Sequence, residues 1–261
     1  MGALMLAMVL SVADAGSVEK RPLYYETKAI TDAELTGRTL QELTLMRNWI
    51  YARAGNEFRK AWLNHYFRAL PWYPGWSAPD AELDPVFEYD ASKLTELDHA
   101  NALKIATYES KLTLAELTAM RDVARARKDQ IELLLLTVRL GGWAGDGPAP
   151  KDLTPLEDPS KLDGLLKLAM LDDFSPREVK LLRNTVFARR GRTFTTEDMK
   201  GHFSTVAWYH PDPAYTDKRL TKIDKKNIQL IKSLEDTLNS RSKEGYNALR
   251  QKEDPNWYGA A

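Results

Sequence analysis

Arg47-Asn48-Trp49-Ile50-Tyr51-Ala52-Arg53-Ala54-Gly55 returns later in the chain as Arg183-Asn184-Thr185-Val186-Phe187-Ala188-Arg189-Arg190-Gly191, an offset of 136 residues (183 minus 47). The same offset relates Phe58 to Phe194, Phe67 to Phe203 and Trp72-Tyr73 to Trp208-Tyr209. A recurrence that long marks two copies of one folded unit. Beyond the aromatic pair the register changes. Leu94-Thr95, Leu97-Asp98, Asn101, Ile105 and Glu109 match Leu220-Thr221, Ile223-Asp224, Asn227, Ile231 and Glu235 at an offset of 126 (224 minus 98). The first copy therefore carries ten extra residues (136 minus 126) after its Trp-Tyr. Insertions are tolerated best in surface loops, which places Pro74 to Asp90, with Pro74-Gly75 and Pro79, outside the helices.

Each copy reads as three helices. Thr39-Leu40-Gln41-Glu42 and Ser175-Pro176-Arg177-Glu178 have the capping-box form, the second with proline at the first helical position. Leu43, Met46 and Ile50, or Val179, Leu182 and Val186, recur at helical spacing. Gly55 and Gly191 suit the left-handed position that ends a helix. A shorter helix is expected over Arg59 to Phe67 and over Thr195 to Phe203, with Trp-Tyr in the loop beyond it. A third begins at Thr95 or Thr221, where Thr-x-x-Asp caps it. Leu112 to Leu140 reads as one connecting helix, about 40 Å long at 1.5 Å per residue, ended by Gly141-Gly142. Its Leu117 to Arg121 echoes Leu43 to Arg47 without continuing into the motif, as a helical coincidence or a decayed copy. Gly145 to Pro159, with four prolines, reads as linker, and the polar tail after Ser240 as loosely ordered up to Trp257-Tyr258.

The run Leu-x-x-Arg-Asn-x-Ile-Tyr-Ala-Arg-x-Gly, the later Trp-Tyr-x-Pro and the final helix with Asn, Ile and Glu resemble the YARHG domain over roughly residues 33–110 and 168–238. The histidine of that motif is Ala54 in one copy and Arg190 in the other. The resemblance implies an envelope-associated or secreted bacterial protein and transfers no established activity. The expected architecture is mainly α: two small three-helix modules with long aromatic loops, joined by a long helix and a Pro/Gly-rich linker. The expected division is an export signal (1–15), a first module (33–110), a connecting helix (112–140), a linker (141–160), a second module (161–240) and a polar tail (241–261).

Composition narrows the function classes. Lys+Arg and Asp+Glu both number 37 in 261 residues, a balance that argues against nucleic-acid binding by counterion release and against polybasic membrane binding. With no cysteine, disulfides, a reactive thiol, thiolate metal sites and a lipid-attachment cysteine are excluded. Ala3 to Leu10 form a short apolar run followed by Ala13-Asp14-Ala15 and Gly16, the pattern of an export signal and too short to span a bilayer. No Lys or Arg precedes the run, so an earlier start and a buried N-terminal helix are the alternatives. The expected location is periplasmic or secreted.

Two sets of repeated residues are candidates for function. Arg47 and Arg183, Asn48 and Asn184, and Arg53 and Arg189 form either an anion site or an internal network paired with Asp98 or Asp224. The network is favoured, because loop backbone near a core must find partners. Asn101 and Asn227, the latter on the apolar stripe of its helix, belong to the same network. Trp72, Tyr73 and Trp76, with Trp208, Tyr209 and Tyr215, are either a stacking platform for glycan or protein or the anchor of their loop. The histidines His65, His99, His202 and His210 share no repeat position; His202 and His210 read as ordinary loop and surface residues, with a metal site in the second copy as the alternative, and neither a catalytic motif nor a cofactor pattern is present. The favoured reading is a non-catalytic envelope binding or scaffolding protein that contacts glycan or protein through its Trp-Tyr loops. The alternatives are a cell-wall or peptide-acting enzyme or accessory subunit, and a structural spacer.

Overall fold

The computed structural model describes residues 27–56, 58–73 and 90–253. The expected export signal, Trp76, residues 74–89 of the insertion and residues 254–261 lie outside the described residues. All regular structure among the described residues is helical, with no strand. The α-helices are α1 (Asp32–Leu35), α2 (Leu40–Arg53), α3 (Ala61–Arg68), α4 (Glu96–Lys111), α5 (Leu114–Arg127), α6 (Gln130–Leu140), α7 (Pro176–Ala188), α8 (Glu197–Phe203), α9 (Lys222–Ser240) and α10 (Lys243–Glu253). Helices α2, α3 and α4 of the first copy recur as α7, α8 and α9. The offsets extend to the short turns, since α1 matches the 3-10 turn Leu168–Leu171 and the 3-10 turn Ala91–Lys93 matches Asp217–Arg219. None of these helices is long and apolar enough to cross a membrane.

The motif helices begin where the capping chemistry places them. The hydroxyls of Thr39 and Ser175 accept the N–H of Glu42 and Glu178, whose carboxylates accept the cap N–H in return. Gly55 at φ 83° and Gly191 at φ 92° follow their ends, in a region where a side chain is strained. Each motif helix is buried on two sides. Leu43, Met46 and Ile50 pack with Ile105 of α4, while Leu45, Trp49 and Ala52 pack into an aromatic cluster with Phe58, Phe67 and Tyr73. In the second copy Val179, Leu182 and Val186 pack with Ile231 and Leu234, and Ala188 packs with Met199, Phe203 and Val206. Only a narrow polar stripe remains.

Buried asparagines fasten each copy. Asn101 Oδ1 accepts Ile30 N–H at 2.8 Å and its amide donates to Lys28 O at 3.0 Å. Asn227 accepts Leu166 N–H at 2.9 Å and donates to Gly164 O at 2.9 Å. These partners are again 136 residues apart (166 minus 30), so the structural repeat begins upstream of any visible sequence match.

The segment Leu112 to Leu140 departs from expectation. It is a hairpin of α5 and α6, broken at Lys128, which adopts φ 56°, and Asp129, which caps α6 by accepting Glu132 N–H at 3.1 Å. Folding back buries Leu117, Ala124, Leu133 and Leu136 in the first copy's core, apolar surface that a single rod would leave in water. The turn also delivers Glu132, 1% exposed, to the start of α2, where its carboxylate accepts Leu40 N–H at 3.0 Å and Gln41 N–H at 2.7 Å. Burial pushes Glu132 up to about 7, against those two donors.

The stretch read as linker is packed down: Leu153 and Leu156 are buried, and Arg125 donates to the carbonyls of Ala144 at 2.6 Å and Gly145 at 3.1 Å. The tail expected to be loose is helix α10 over 243–253. It buries Tyr246 in the second core and places the Glu253 carboxylate on Leu168 N–H at 2.7 and 2.8 Å. The buried tyrosine outweighs the polar composition that suggested disorder.

The two copies touch directly, α8 lying against α4. Gly201 makes this possible, because any Cβ there would overlap the Ser110 carbonyl oxygen. At the end of α6, where helical carbonyls lack intrahelical donors, Arg139 O accepts the Thr205 hydroxyl at 2.9 Å and Leu140 O accepts Ala207 N–H at 2.9 Å. Gly141, φ 74°, ends α6 where a Cβ would stand 2.6 Å from Val206.

Replacement Gly201→Val must push α8 off α4. The expected outcome is a loss of about 1–3 kcal/mol, the usual cost of overpacking, with the two copies melting as separate transitions in calorimetry. An unchanged single transition at the parental temperature contradicts this account of the interface.

Candidate functional site

The aromatic candidates pack into their own copies. Tyr73 is 6% exposed, and its hydroxyl donates to Asn56 O at 2.7 Å; half-buried Tyr209 donates to Arg192 O at 2.8 Å, the equivalent carbonyl. The rings lie on stacked phenylalanines, Phe58 on Phe67 and Phe194 on Phe203, each pair with centroids 4.7 Å apart. Half-buried Trp72 lies 4.9 Å from Trp49, and Trp208 lies beside Gly141. Half-buried Tyr215 donates to Asp217 at 2.9 Å. Asn48 and Asn184 each donate to the carbonyl one turn back, of Thr44 and Lys180, at 2.8 Å.

The repeated arginines bridge helices within their copies. Arg47 pairs with Glu109 at 2.8 Å, and Arg183 pairs with Glu235 through Nε at 2.7 Å and Nη2 at 3.2 Å. These glutamates were visible as repeated positions, but nothing in sequence spacing joined them to the arginines. His65, His99 and His210 are exposed while His202 is buried, and no cluster of metal-ligating side chains occurs among the described residues.

A cleft of about 650 Å³ opens between the copies. The first contributes Arg47, Arg59, Lys60, Leu103 and Glu109, the hairpin Leu135 and Arg139, and the second Arg177, Glu178 and His202. Six cations (Arg47, Arg59, Lys60, Arg139, Arg177 and Arg241) face two carboxylates, Glu109 and Glu178, so the cleft is cationic although the chain is neutral. Two ion pairs close it across the copies, Lys60 to Glu178 at 2.7 Å and Arg177 to Glu109 at 2.9 Å. Arg59 has neutral partners, Asp172 O at 2.8 Å and the Tyr246 hydroxyl at 3.0 Å, and lies 4.8 Å over the Tyr246 ring. Burial alone would raise Glu178, but Lys60 and the Ser175 cap hold it below the ordinary carboxylate value. Burial, aided by the charge of Arg139, holds His202 down at about 3, so its imidazole is neutral near pH 7.

Most of this cleft escapes sequence inspection. Arg139 is one charge at the end of the leucine-rich α6, and Lys60 and His202 have no repeat partner of like chemistry, their equivalents being Thr196 and Tyr66.

Residues 20–110 and 159–236 match the family model of the YARHG domain. The chain belongs to the YARHG family. No curated protein and no solved structure matches it.

The two YARHG copies differ most at the motif's fourth residue. In the first, Arg53 pairs with Asp98 at 2.5 Å, with Ala54 beside it buried. In the second, Arg190 replaces that alanine and grips Asp224 through Nε at 2.7 Å and Nη2 at 3.0 Å, while Arg189 turns to Asp163 at 2.7 Å. Both copies thus neutralise the buried carboxylate that caps their third helix, each with a different arginine. The sequence expectation that Arg189 belongs with Asp224 is corrected here.

Removing Arg190 strands a carboxylate only 1% exposed, whereas the partner of Arg189 is 63% exposed. Arg190→Ala is expected to cost about 2–4 kcal/mol after allowance for the half-open arginine, and Arg189→Ala under about 1 kcal/mol. Urea unfolding midpoints of the two variants check the order, and equal losses contradict it.

His202 supplies a pH dependence. In the unfolded chain it takes its proton near 6.5, in the folded chain only near 3, so this group's contribution to stability declines as pH falls below about 6.5. Glu132, held near 7, acts oppositely between about 4.5 and 7. Comparing the parent with His202→Gln isolates the histidine: unfolding free energies from pH 7.5 to 4 should fall less steeply in the variant. Parallel profiles contradict a buried neutral imidazole.

Proposed function

We propose that this protein is a non-catalytic binding protein of the bacterial cell envelope that holds an anionic ligand in the cleft between its two YARHG copies. The envelope setting rests on the family resemblance and on the export pattern of residues 1–15. The observation that carries the binding reading is the cleft itself, 650 Å³ lined by six cations against two carboxylates. Pockets of that size suit small ligands or chain ends, and clefts of one sign concentrate ligands of the other. In this reading the Trp-Tyr loops hold each copy together, and the contact surface lies between the copies instead of on the loops.

The same cleft argues against turnover. Its two carboxylates, Glu109 and Glu178, are engaged by cations, and Glu178 is held down where a general acid would need to be raised.

Leu103, 68% exposed at the rim, supports a test that spares the fold. Calorimetric titration with citrate, phosphate and N-acetylmuramic acid should show saturable binding that weakens with salt. Leu103→Glu should weaken it about fivefold, the effect of one added charge near a protein surface, ~1 kcal/mol. Failure of all three anions to bind, or binding indifferent to both salt and Leu103→Glu, overturns the reading.

A further inference from the structure

The outward side of α9 carries charge that its counterpart α4 lacks. Lys222, Lys225 and Lys226 stand three and four residues apart at the start of the helix and so share one face, and Lys218 lies on the 3-10 turn just before it. All four are exposed, and none has an ion-pair partner among the described residues. Arg219, between them, is already answered by Asp212 at 2.5 Å. Of the two carboxylates in the stretch, Asp224 is buried and gripped by Arg190, and Asp217 accepts the Tyr215 hydroxyl at 2.9 Å.

At the offset of 126 the first copy has Ser92, Glu96, His99 and Ala100 where the second has these lysines. The fold gains nothing from the exchange. Lys222 in the first turn opposes the helix dipole, which Glu96 complements, and like charges three and four residues apart repel. The chain-wide balance of 37 cations and 37 carboxylates, which argues against a polybasic membrane binder, averages over this face.

We propose that the lysine face of α9 seats the protein on an anionic bilayer, its ammonium groups against the phosphates of the lipid headgroups. Lysine is a hydrated point charge without the planar fork that holds a single phosphate, so four together answer a spread of negative charge. Residues 218–226 hold no aromatic ring on which a nucleic-acid base could stack. The exposed apolar side chain among them is Ile223, 36% exposed, a residue type suited to the boundary between headgroups and acyl chains. The face is remote from the cleft, which Leu238, Asn239 and Arg241 line at the other end of α9. Lys222 and Leu238 are about 24 Å apart along the helix at 1.5 Å per residue, so bilayer attachment and ligand binding hold or fail separately.

The test sediments the full chain with vesicles of equal parts phosphatidylcholine and phosphatidylglycerol, and with phosphatidylcholine alone. The chain should sediment with the anionic vesicles, stay in solution with the neutral ones, and be released in molar salt, where the screening length falls to about 3 Å. Each lysine near an anionic surface strengthens attachment about fivefold, so Lys225→Gln with Lys226→Gln should weaken it about 25-fold. Lys111→Gln with Lys128→Gln, the same change of net charge at exposed lysines elsewhere, should leave it unchanged. Lys222→Glu should weaken attachment while its melting temperature holds or rises, because a charge that opposes the helix has gone.

No sedimentation with either vesicle, equal sedimentation with both, or equal losses from the α9 pair and the control pair overturns the proposal. Displacement from the vesicles by glycerol phosphate also overturns it, in favour of a site for free phosphate. A DNA duplex that binds through the same lysines while vesicles do not makes the face a nucleic-acid surface instead. A lowered melting temperature in Lys222→Glu overturns it as well, since the lysine then serves the fold.

Discussion

A glycine against a carbonyl oxygen sets the geometry of this molecule. Gly201 lets α8 of the second copy lie on α4 of the first against Ser110, and both helices line the cleft. With the helices in contact, the free carbonyls at the end of α6 find Thr205 and Ala207, and Arg139 is carried beneath them. The ion pairs of Lys60 with Glu178 and Arg177 with Glu109 lie across the same boundary. Arg177 is half exposed, while the side chains of Lys60, Glu178 and Glu109 are mostly buried. The effect of the two pairs is orientation, since each joins a side chain of one copy to the other.

Within a copy the decisive requirement is satisfaction of buried polar groups. Asn101 and Asn227 occupy the same point on α4 and α9 and clamp the chain segment that enters each copy. Their burial is tolerable because side-chain and backbone groups answer each other. Asp98 and Asp224 cap the third helix and then need a cation. The two copies supply it from neighbouring positions of one helix end, Arg53 and Arg190. What the fold demands is a guanidinium at the carboxylate, and two adjacent positions on the last turn reach it. This separates a structural duty of the motif from the identity of any one of its letters.

The aromatic loops show what repetition secures inside each copy. Trp-Tyr recurs because each tyrosine completes an aromatic cluster and ties its hydroxyl to the carbonyl after the helix-ending glycine, Asn56 O or Arg192 O. An aromatic ring buries much area and its hydroxyl needs a partner, and both needs are met inside the copy. The cationic cleft, by contrast, joins repeated residues such as Arg47 and Glu109 to residues without a counterpart of like chemistry, such as Lys60 and Arg139. A surface formed between copies sees different faces of each, so the site breaks the symmetry that the sequence displays.

Local information was enough for much of the fold. Capping boxes at Thr39, Ser175, Thr95 and Thr221, the helix-ending glycines and the apolar spacing of α2 and α7 are interactions within a few residues, so sequence alone determined those helices, the duplication and the length change between copies. Sequence also marked Asn101 and Asn227 as internal, because a polar residue on an apolar stripe needs a partner. It did not determine that Leu112 to Leu140 turns back at Lys128, since a lysine in the left-handed region is tolerated only when burial of Leu117, Leu133 and Leu136 and the cap at Asp129 outweigh the local cost. Nor did it place the tail, whose helix α10 is held by Tyr246 and Glu253 reaching the second core. The cleft exists only through contacts between residues far apart in the chain, such as Arg139 with Thr205 and Ser110 with Gly201. Only the tertiary structure decided it, because no local pattern records which residues of one copy meet those of the other.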